Sequence, residues 1–295
     1  MLRYRVPAST TNLGHGFDCL GMALGLYNEV TLDTGPGSGA AHEHAPGLLA
    51  LSERVRALAD ARWPSGGPLP LLHPSVRGDV PIARGLGSSA TIIVALALAY
   101  QELAGVARDP DSALGVAAAA EGHPDNVAAA CLGGFTLAGE VDGAIRTARF
   151  AAPRGLCAVL AIPSFEVKTS DARRILPPDL TRGDAVRALQ RTALIVAALA
   201  RSDGPALRGL FTDAWHERFR VRLNPDLEEC RRVADAAGAL GTHLSGSGST
   251  ILSIVPSALA EAVAARLRSA CTGRERPIAV HIASFSDQGA ERLDA

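Results

Sequence analysis

The segment Pro81-Ile82-Ala83-Arg84-Gly85-Leu86-Gly87-Ser88-Ser89-Ala90 has the composition of a phosphate cradle. Its glycines let the backbone turn inward without a Cβ in the way. The residues that follow, free of Gly and Pro, read as a buried helix from Ser88 to Leu103. A helix starting at Ser88 points its first free N–H groups and the positive end of its dipole into the loop, a place that binds phosphate. The two serines add hydroxyls, one of which can reach a magnesium ion bridging phosphate oxygens. Taken alone, the same loop also suits an ordinary strand-to-helix turn with a serine cap. Two more glycine-bearing polar segments, residues 9–18 and 245–249, are each bounded by apolar elements, as where backbone approaches a ligand. No GxxxxGK[ST] precedes the single lysine, Lys168, so a Walker-type nucleotide site is excluded and phosphates are held in another way.

Other chemistries are poorly served. The five cysteines, Cys19, Cys131, Cys157, Cys230 and Cys271, include no CxxC pair and read as small buried hydrophobes. The eight histidines include His42 and His44 in a Gly/Ala loop, but no HExxH, so no dedicated transition-metal site is expected. A net charge of −1 over 295 residues, with no basic-aromatic run, argues against a nucleic-acid partner. The most apolar stretch, Thr91 to Ala104, is broken by Tyr100, Gln101 and Glu102 and falls short of the roughly 20 residues of a membrane span. The N-terminus reads as an alternating strand with no signal-peptide core, and the expectation is a cytoplasmic protein without a membrane partner.

These segments need elements to hold them. Strands are expected at Leu2–Pro7 and Leu24–Thr34 with residues 9–18 as a loop between them, followed by a surface turn over Gly35–Gly47 and a helix at Leu49–Arg62. A short strand at Val76–Pro81 leads into the phosphate loop. A helix at Asp111–Ala120, capped by Asp111, and another at Val127–Leu132 flank the polar turn Glu121–Asn126. Strands at Phe135–Ala138, Ala144–Phe150 and Cys157–Ile162 come next, then a short helix at Thr169–Leu176. The second half alternates helices at Gly183–Ala200, Leu227–Ala237 and Pro256–Ala270 with Thr242–Ser253 and a final strand Pro277–Ser284. With 47% hydrophobic residues there is material for two domains, divided near Ala151 into 1–150 and 151–295. Strands and helices mixed without strict alternation indicate an α+β fold.

Three motifs in order carry a resemblance: Pro7-Ala8-Ser9-Thr10-Thr11-Asn12-Leu13-Gly14-His15-Gly16-Phe17-Asp18, the Gly85–Ala90 loop, and Leu244-Ser245-Gly246-Ser247-Gly248-Ser249-Thr250. With them stand His123-x-Asp125-Asn126, Thr169-x-x-Ala172-Arg173 and His216-x-x-x-Arg220. The chain resembles the GHMP kinase superfamily and, within it, the homoserine kinase family. The resemblance implies a two-domain GHMP kinase fold, with a ribosomal-protein-S5-domain-2-like first domain, a ferredoxin-like second one and the active site between them. It implies ATP-dependent phosphorylation of the L-homoserine hydroxyl, with ATP and Mg2+ as cofactors and a homodimer as one arrangement such kinases adopt.

The residues can be set against that task. By resemblance Asp18 takes the substrate ammonium, while Arg173 and Arg220 take its carboxylate, which a planar guanidinium binds bidentately. Asn12, His123, Asn126 and Thr169 lie near the alcohol, with Gly246 as a further substrate contact. Asn126, Thr169 and Arg173 align the hydroxyl and meet charge near the γ-phosphoryl. His216 either contributes directly or orients Arg220. Arg84, Gly85, Leu86, Gly87, Ser88 and Ser89 hold the nucleotide. The implied magnesium ligands are a motif serine, Ser89 preferred over Ser88, and a glutamate before the His-x-Asp-Asn turn, where Glu121 follows four alanines. The chain departs from the family pattern at His15 and Ser249, where proline is common, and at Leu223-Asn224-Pro225, where a Pro-Gly turn is usual. Two other readings are a superfamily kinase for another small amino alcohol and a catalytically silent ligand sensor on the same fold.

Overall fold

The computed structural model describes residues 1–35, 47–213 and 215–294. The expected turn over 36–46, with His42 and His44, lies outside the described residues. The strands are β1 (Leu2–Asn12), β2 (Gly16–Asp33), β3 (His73–Gly78), β4 (Phe135–Val141), β5 (Ala144–Phe150), β6 (Leu156–Pro163), β7 (Gly241–Leu244), β8 (Ile251–Pro256), β9 (Ile278–Ser284) and β10 (Glu291–Leu293). The helices are α1 (Leu48–Arg62), α2 (Ser88–Leu103), α3 (Pro110–Glu121), α4 (Asp125–Leu132), α5 (Thr169–Arg174), α6 (Arg182–Ala200), α7 (Glu217–Arg220), α8 (Leu227–Ala236) and α9 (Ala260–Cys271). One antiparallel sheet runs β10-β1-β2-β4-β5, with β3 also paired to β2, and a second runs β7-β8-β6-β9.

Side-chain alternation decides how these sheets stack. In β6, Cys157, Val159 and Ala161 face α8 and α9, while Ala158 and Leu160 face the first sheet. In β8, Ile251 and Val255 go to the helices and Leu252 and Ile254 go inward. Leu20, Met22 and Leu24 of β2 complete that shared core, and Val30 and Leu32 farther along the same strand turn to the core under α1–α4. The two sheets therefore share a core, and helices cover their outer sides. β10 pairs with β1, and the Ser286 amide bonds to the Ala23 carbonyl, so the second half of the chain contributes to both sheets.

Three expectations change. Residues 9–12 form strand, not loop: β1 continues to Asn12, and only Leu13–His15 turn before β2 begins. These residues are polar yet buried because each hydroxyl has a distant partner. Ser9 and Thr11 point one way to Asn126, and Thr10 points the other way to Ser245. The cap of α3 is Asp109, whose carboxylate accepts the Asp111 amide, since Pro110 opens the helix at its first position. The strand expected at Val76–Pro81 lies earlier, at His73–Gly78, where β2 supplies its partners. The α+β mixture is as the composition pattern indicates. Among the described residues, no helix is long and apolar enough to cross a membrane.

Candidate active site

The three glycine-bearing segments interlock at one end of the shared core. The Ser9 amide donates to the Leu86 carbonyl at 3.1 Å, Ser245 Oγ donates to the Gly85 carbonyl at 2.6 Å, and the Thr250 amide donates to the Arg84 carbonyl at 3.1 Å. Such closeness needs glycine. A Cβ on Gly85 (φ +76°) would lie 2.1 Å from the Ser245 carbonyl oxygen, and one on Gly87 (φ +71°) 2.1 Å from Ser9 Oγ. Gly87 opens α2, no side chain caps that helix, and its first amides face a cleft of about 550 Å3.

Asn12, Asp18, Arg84, Gly85, Gly87, Ser88, Ser89, Glu121, His123, Asn126, Thr169, Arg173, Arg220 and Gly246 all line that cleft. Leu86 does not. Its side chain is buried in the core below the loop, and its carbonyl is taken by Ser9, so it supports the cradle from behind.

Each polar member has a defined partner. Ser89 Oγ donates to Glu121 Oε1 at 2.7 Å, which brings a hydroxyl of α2 to the carboxylate at the end of α3. Hard oxygen donors of this kind, together with substrate phosphates, are what Mg2+ takes. Asn12 is committed at both ends, Nδ2 to the Gly246 carbonyl at 2.7 Å and Oδ1 to the Asp18 amide at 3.1 Å. Asn126 is likewise held, with Oδ1 accepting from Ser9 and Nδ2 donating to Thr11. Thr169 Oγ1 donates to Ser247 Oγ at 3.2 Å. Arg84 reaches the Ile82 and Ser164 carbonyls and pairs with Glu166 at 3.2 Å, tying the phosphate loop to the chain after β6.

The charged groups form a compact set. Arg173 grips Asp18 bidentately at 2.7 and 2.8 Å. Arg220 is buried, and its guanidinium donates to the Ala172 and Gly246 carbonyls and faces His216 Nδ1 at 3.3 Å. Burial, with Arg173 nearby, lowers its pKa to about 10, which leaves it charged at neutral pH with no carboxylate bonded to it among the described residues. His216 Nε2 sits 2.8 Å from the Gly14 carbonyl. Nε2 therefore carries the proton and Nδ1 accepts from Arg220, and burial holds this ring well below its usual pKa, in the neutral form that contact requires. His216 orients Arg220. His123 differs: burial opposes its charge, but the Asp125 carboxylate 2.8 Å away outweighs this and raises its pKa.

Residue-type reasoning passed over Phe17. Its ring stands 5.5 Å from the Arg173 guanidinium and 5.2 Å from that of Arg220, so one aromatic ring braces two cations that would otherwise repel. Its place beside Asp18 in the first motif is the only hint the sequence offers. Asp125 and Lys168 also line the cleft. The departure at His15 has a local use, since Nε2 bonds the Thr212 carbonyl and anchors the β1–β2 turn to the segment leading into α7.

Residues 53–134 match the model of the GHMP kinases N terminal domain, and residues 195–273 that of GHMP kinases C terminal. The homoserine kinase of Desulfitobacterium hafniense is 35% identical, over 98% of this chain and 99% of that protein. The chain belongs to the homoserine kinase family of the GHMP kinases. The homoserine kinase of Deinococcus radiodurans is 40% identical over 84% of this chain and 82% of its own length. A crystal structure of homoserine kinase from Cytophaga hutchinsonii superposes with a TM-score of 0.82 at 26% identity, covering 99% of this chain and 97% of that one. The fold is the two-domain GHMP kinase fold. The family is one of ATP-dependent kinases, so the cleft belongs to a transferase.

Behind the third motif, burial lowers the His243 pKa to about 4. The sign follows from where the proton goes. Below about pH 6.5 the unfolded chain protonates this histidine while the folded one does not, so stability is lost as pH falls from 6.5 toward 4, by about 3 kcal/mol at the lower end. Urea unfolding at pH 7 and pH 5 measures this, and His243→Gln should flatten the slope. An identical slope in the variant contradicts it.

Proposed function

We propose that this chain transfers the γ-phosphoryl group of ATP to the hydroxyl of L-homoserine, giving O-phospho-L-homoserine for threonine biosynthesis. One observation carries the reading. A glycine loop with free helix amides opens into the same cleft as Asp18, Arg173 and Arg220, an anion and two cations suited to a zwitterionic amino acid.

The triphosphate lies on the amides of Gly85, Gly87, Ser88 and Ser89, and the apolar lining at Leu48, Leu51 and Val76 takes the adenine. Ser89 and Glu121 would hold Mg2+, which supplies charge neutralisation at the phosphates. Asp18 binds the substrate ammonium, and Arg173 and Arg220 bind its carboxylate. In the free enzyme Asp18 and Arg173 occupy each other, so the zwitterion exchanges one internal ion pair for two external ones. Asn126, fixed by Ser9 and Thr11, and Thr169 border the alcohol. The loose transition state of phosphoryl transfer places little demand on a base, and positioning with charge stabilisation supplies the rate. Burial opposes a charge on His123, but the Asp125 carboxylate outweighs it and raises its pKa in the same cleft.

Incubation with Mg-ATP and L-homoserine should yield a phosphomonoester whose 31P resonance couples to a CH2 group. A product that is inorganic phosphate alone would sink the reading. Replacing Glu121 by Gln removes one anionic oxygen, and the magnesium concentration for half-maximal activity should rise about tenfold. An unchanged magnesium titration would remove Glu121 from the metal site.

A further inference from the structure

Four permanently cationic side chains line the cleft, and three are already occupied. Arg84 is held by two carbonyls and Glu166. Arg173 is gripped by Asp18, and Arg220 is buried against carbonyls and His216. The fourth is Lys168, the only lysine in the chain. Its side chain is exposed and, among the described residues, makes neither a salt bridge nor a hydrogen bond. Val167 before it is buried and Thr169 after it opens α5, so the backbone that carries Lys168 is fixed on both sides. It enters the cleft from the β6–α5 connection, whereas the phosphate loop enters from the β3–α2 connection.

We propose that Lys168 is a catalytic residue that binds the terminal phosphate of ATP and follows the phosphoryl group as it is transferred. The assignment rests on the kinase reading above and goes beyond it, because no motif of the phosphate loop supplies a cation free to do this. Breaking the bond between the γ-phosphorus and its bridging oxygen leaves charge on the β-phosphate, while the substrate hydroxyl oxygen bonds to the moving phosphorus and its proton passes through the product phosphate to solvent. An ammonium on a flexible four-carbon stem is a mobile point charge that can stay with that group, while the fixed forks of Arg173 and Arg220 cannot.

The test compares wild type with Lys168→Ala and Lys168→Arg by steady-state kinetics, and by calorimetric titration with ADP and with the non-hydrolysable analogue AMPPNP. In Lys168→Ala, kcat/KM for ATP should fall about 100-fold, AMPPNP affinity should fall about tenfold, and ADP affinity should stay unchanged. Lys168→Arg should recover most of the loss, and the melting temperature should not move because the side chain is exposed. Equal weakening of ADP and AMPPNP, or kcat/KM within about twofold of wild type, would overturn the assignment. Were wild type inactive on L-homoserine, the substrate reading would fall, and the ADP and AMPPNP titrations would still decide for or against Lys168.

Discussion

Arg173→Ala should lower kcat/KM for L-homoserine by roughly a thousandfold, about 4 kcal/mol of transition-state stabilisation. The size follows from what the guanidinium does in each state. In the free enzyme it makes two short charge-assisted bonds to Asp18, and in the substrate complex proposed above it meets the carboxylate beside Arg220. Its removal loses the substrate contact and leaves Asp18, only about a third exposed, without its cation. Both kcat and KM should change, since the proposed site also gives this group a role at the γ-phosphoryl. Arg173→Lys should recover little, because an ammonium cannot reproduce a bidentate fork or rest on the Phe17 face in the same way. Wild-type efficiency in Arg173→Ala would remove it from both the carboxylate and the phosphoryl roles.

The second large effect is expected at Gly85. The left-handed backbone there costs any other residue about 1–2 kcal/mol before contacts are counted. The added methyl would also meet the Ser245 carbonyl at 2.1 Å. That neighbour is backbone and cannot rotate away, so the 84–90 loop and the third motif must separate. Gly85→Ala should weaken ATP binding more than about 100-fold and lower the melting temperature by several degrees. Gly115→Ala is the matched control. It lies within α3 with nothing within 4 Å of a Cβ, so it should be neutral or stabilise by up to about 1 kcal/mol. If ATP affinity in Gly85→Ala equals that of wild type, the loop is not the phosphate cradle.

Much of this arrangement is legible in the residues. The glycine loop, the buried helix behind it and the ordered motifs are local features, and local features survive translation into pattern. Residues 9–12 mislead because Ser, Thr and Asn in sequence look like a solvent-facing loop. Their burial depends on partners at Asn126, Ser245 and Gly246, far away in the chain and invisible to periodicity. Leu86 misleads in the opposite sense, since its place among phosphate-loop glycines hides an inward side chain. β10 is three residues long and too short to announce itself, and it exists because β1 offers an edge. Phe17 is marked only by its place in the first motif, and Lys168 by no pattern. The first matters through two arginines brought beside it, and the second through the occupation of every other cation in the cleft. The capping shift from Asp111 to Asp109 is a contest between two adjacent acids that Pro110 decides.

The most direct test of an amino-acid kinase site in this cleft is ADP release with Mg-ATP over a panel of L-homoserine, D-homoserine, L-threonine, L-serine, mevalonate and galactose. Turnover on L-homoserine well above every other compound, with D-homoserine poor because its ammonium and carboxylate cannot reach Asp18 and the two arginines together, is the expected result. Measurable ATP binding without turnover on any of the six would contradict it and leave a ligand sensor on a kinase fold or a kinase for another alcohol.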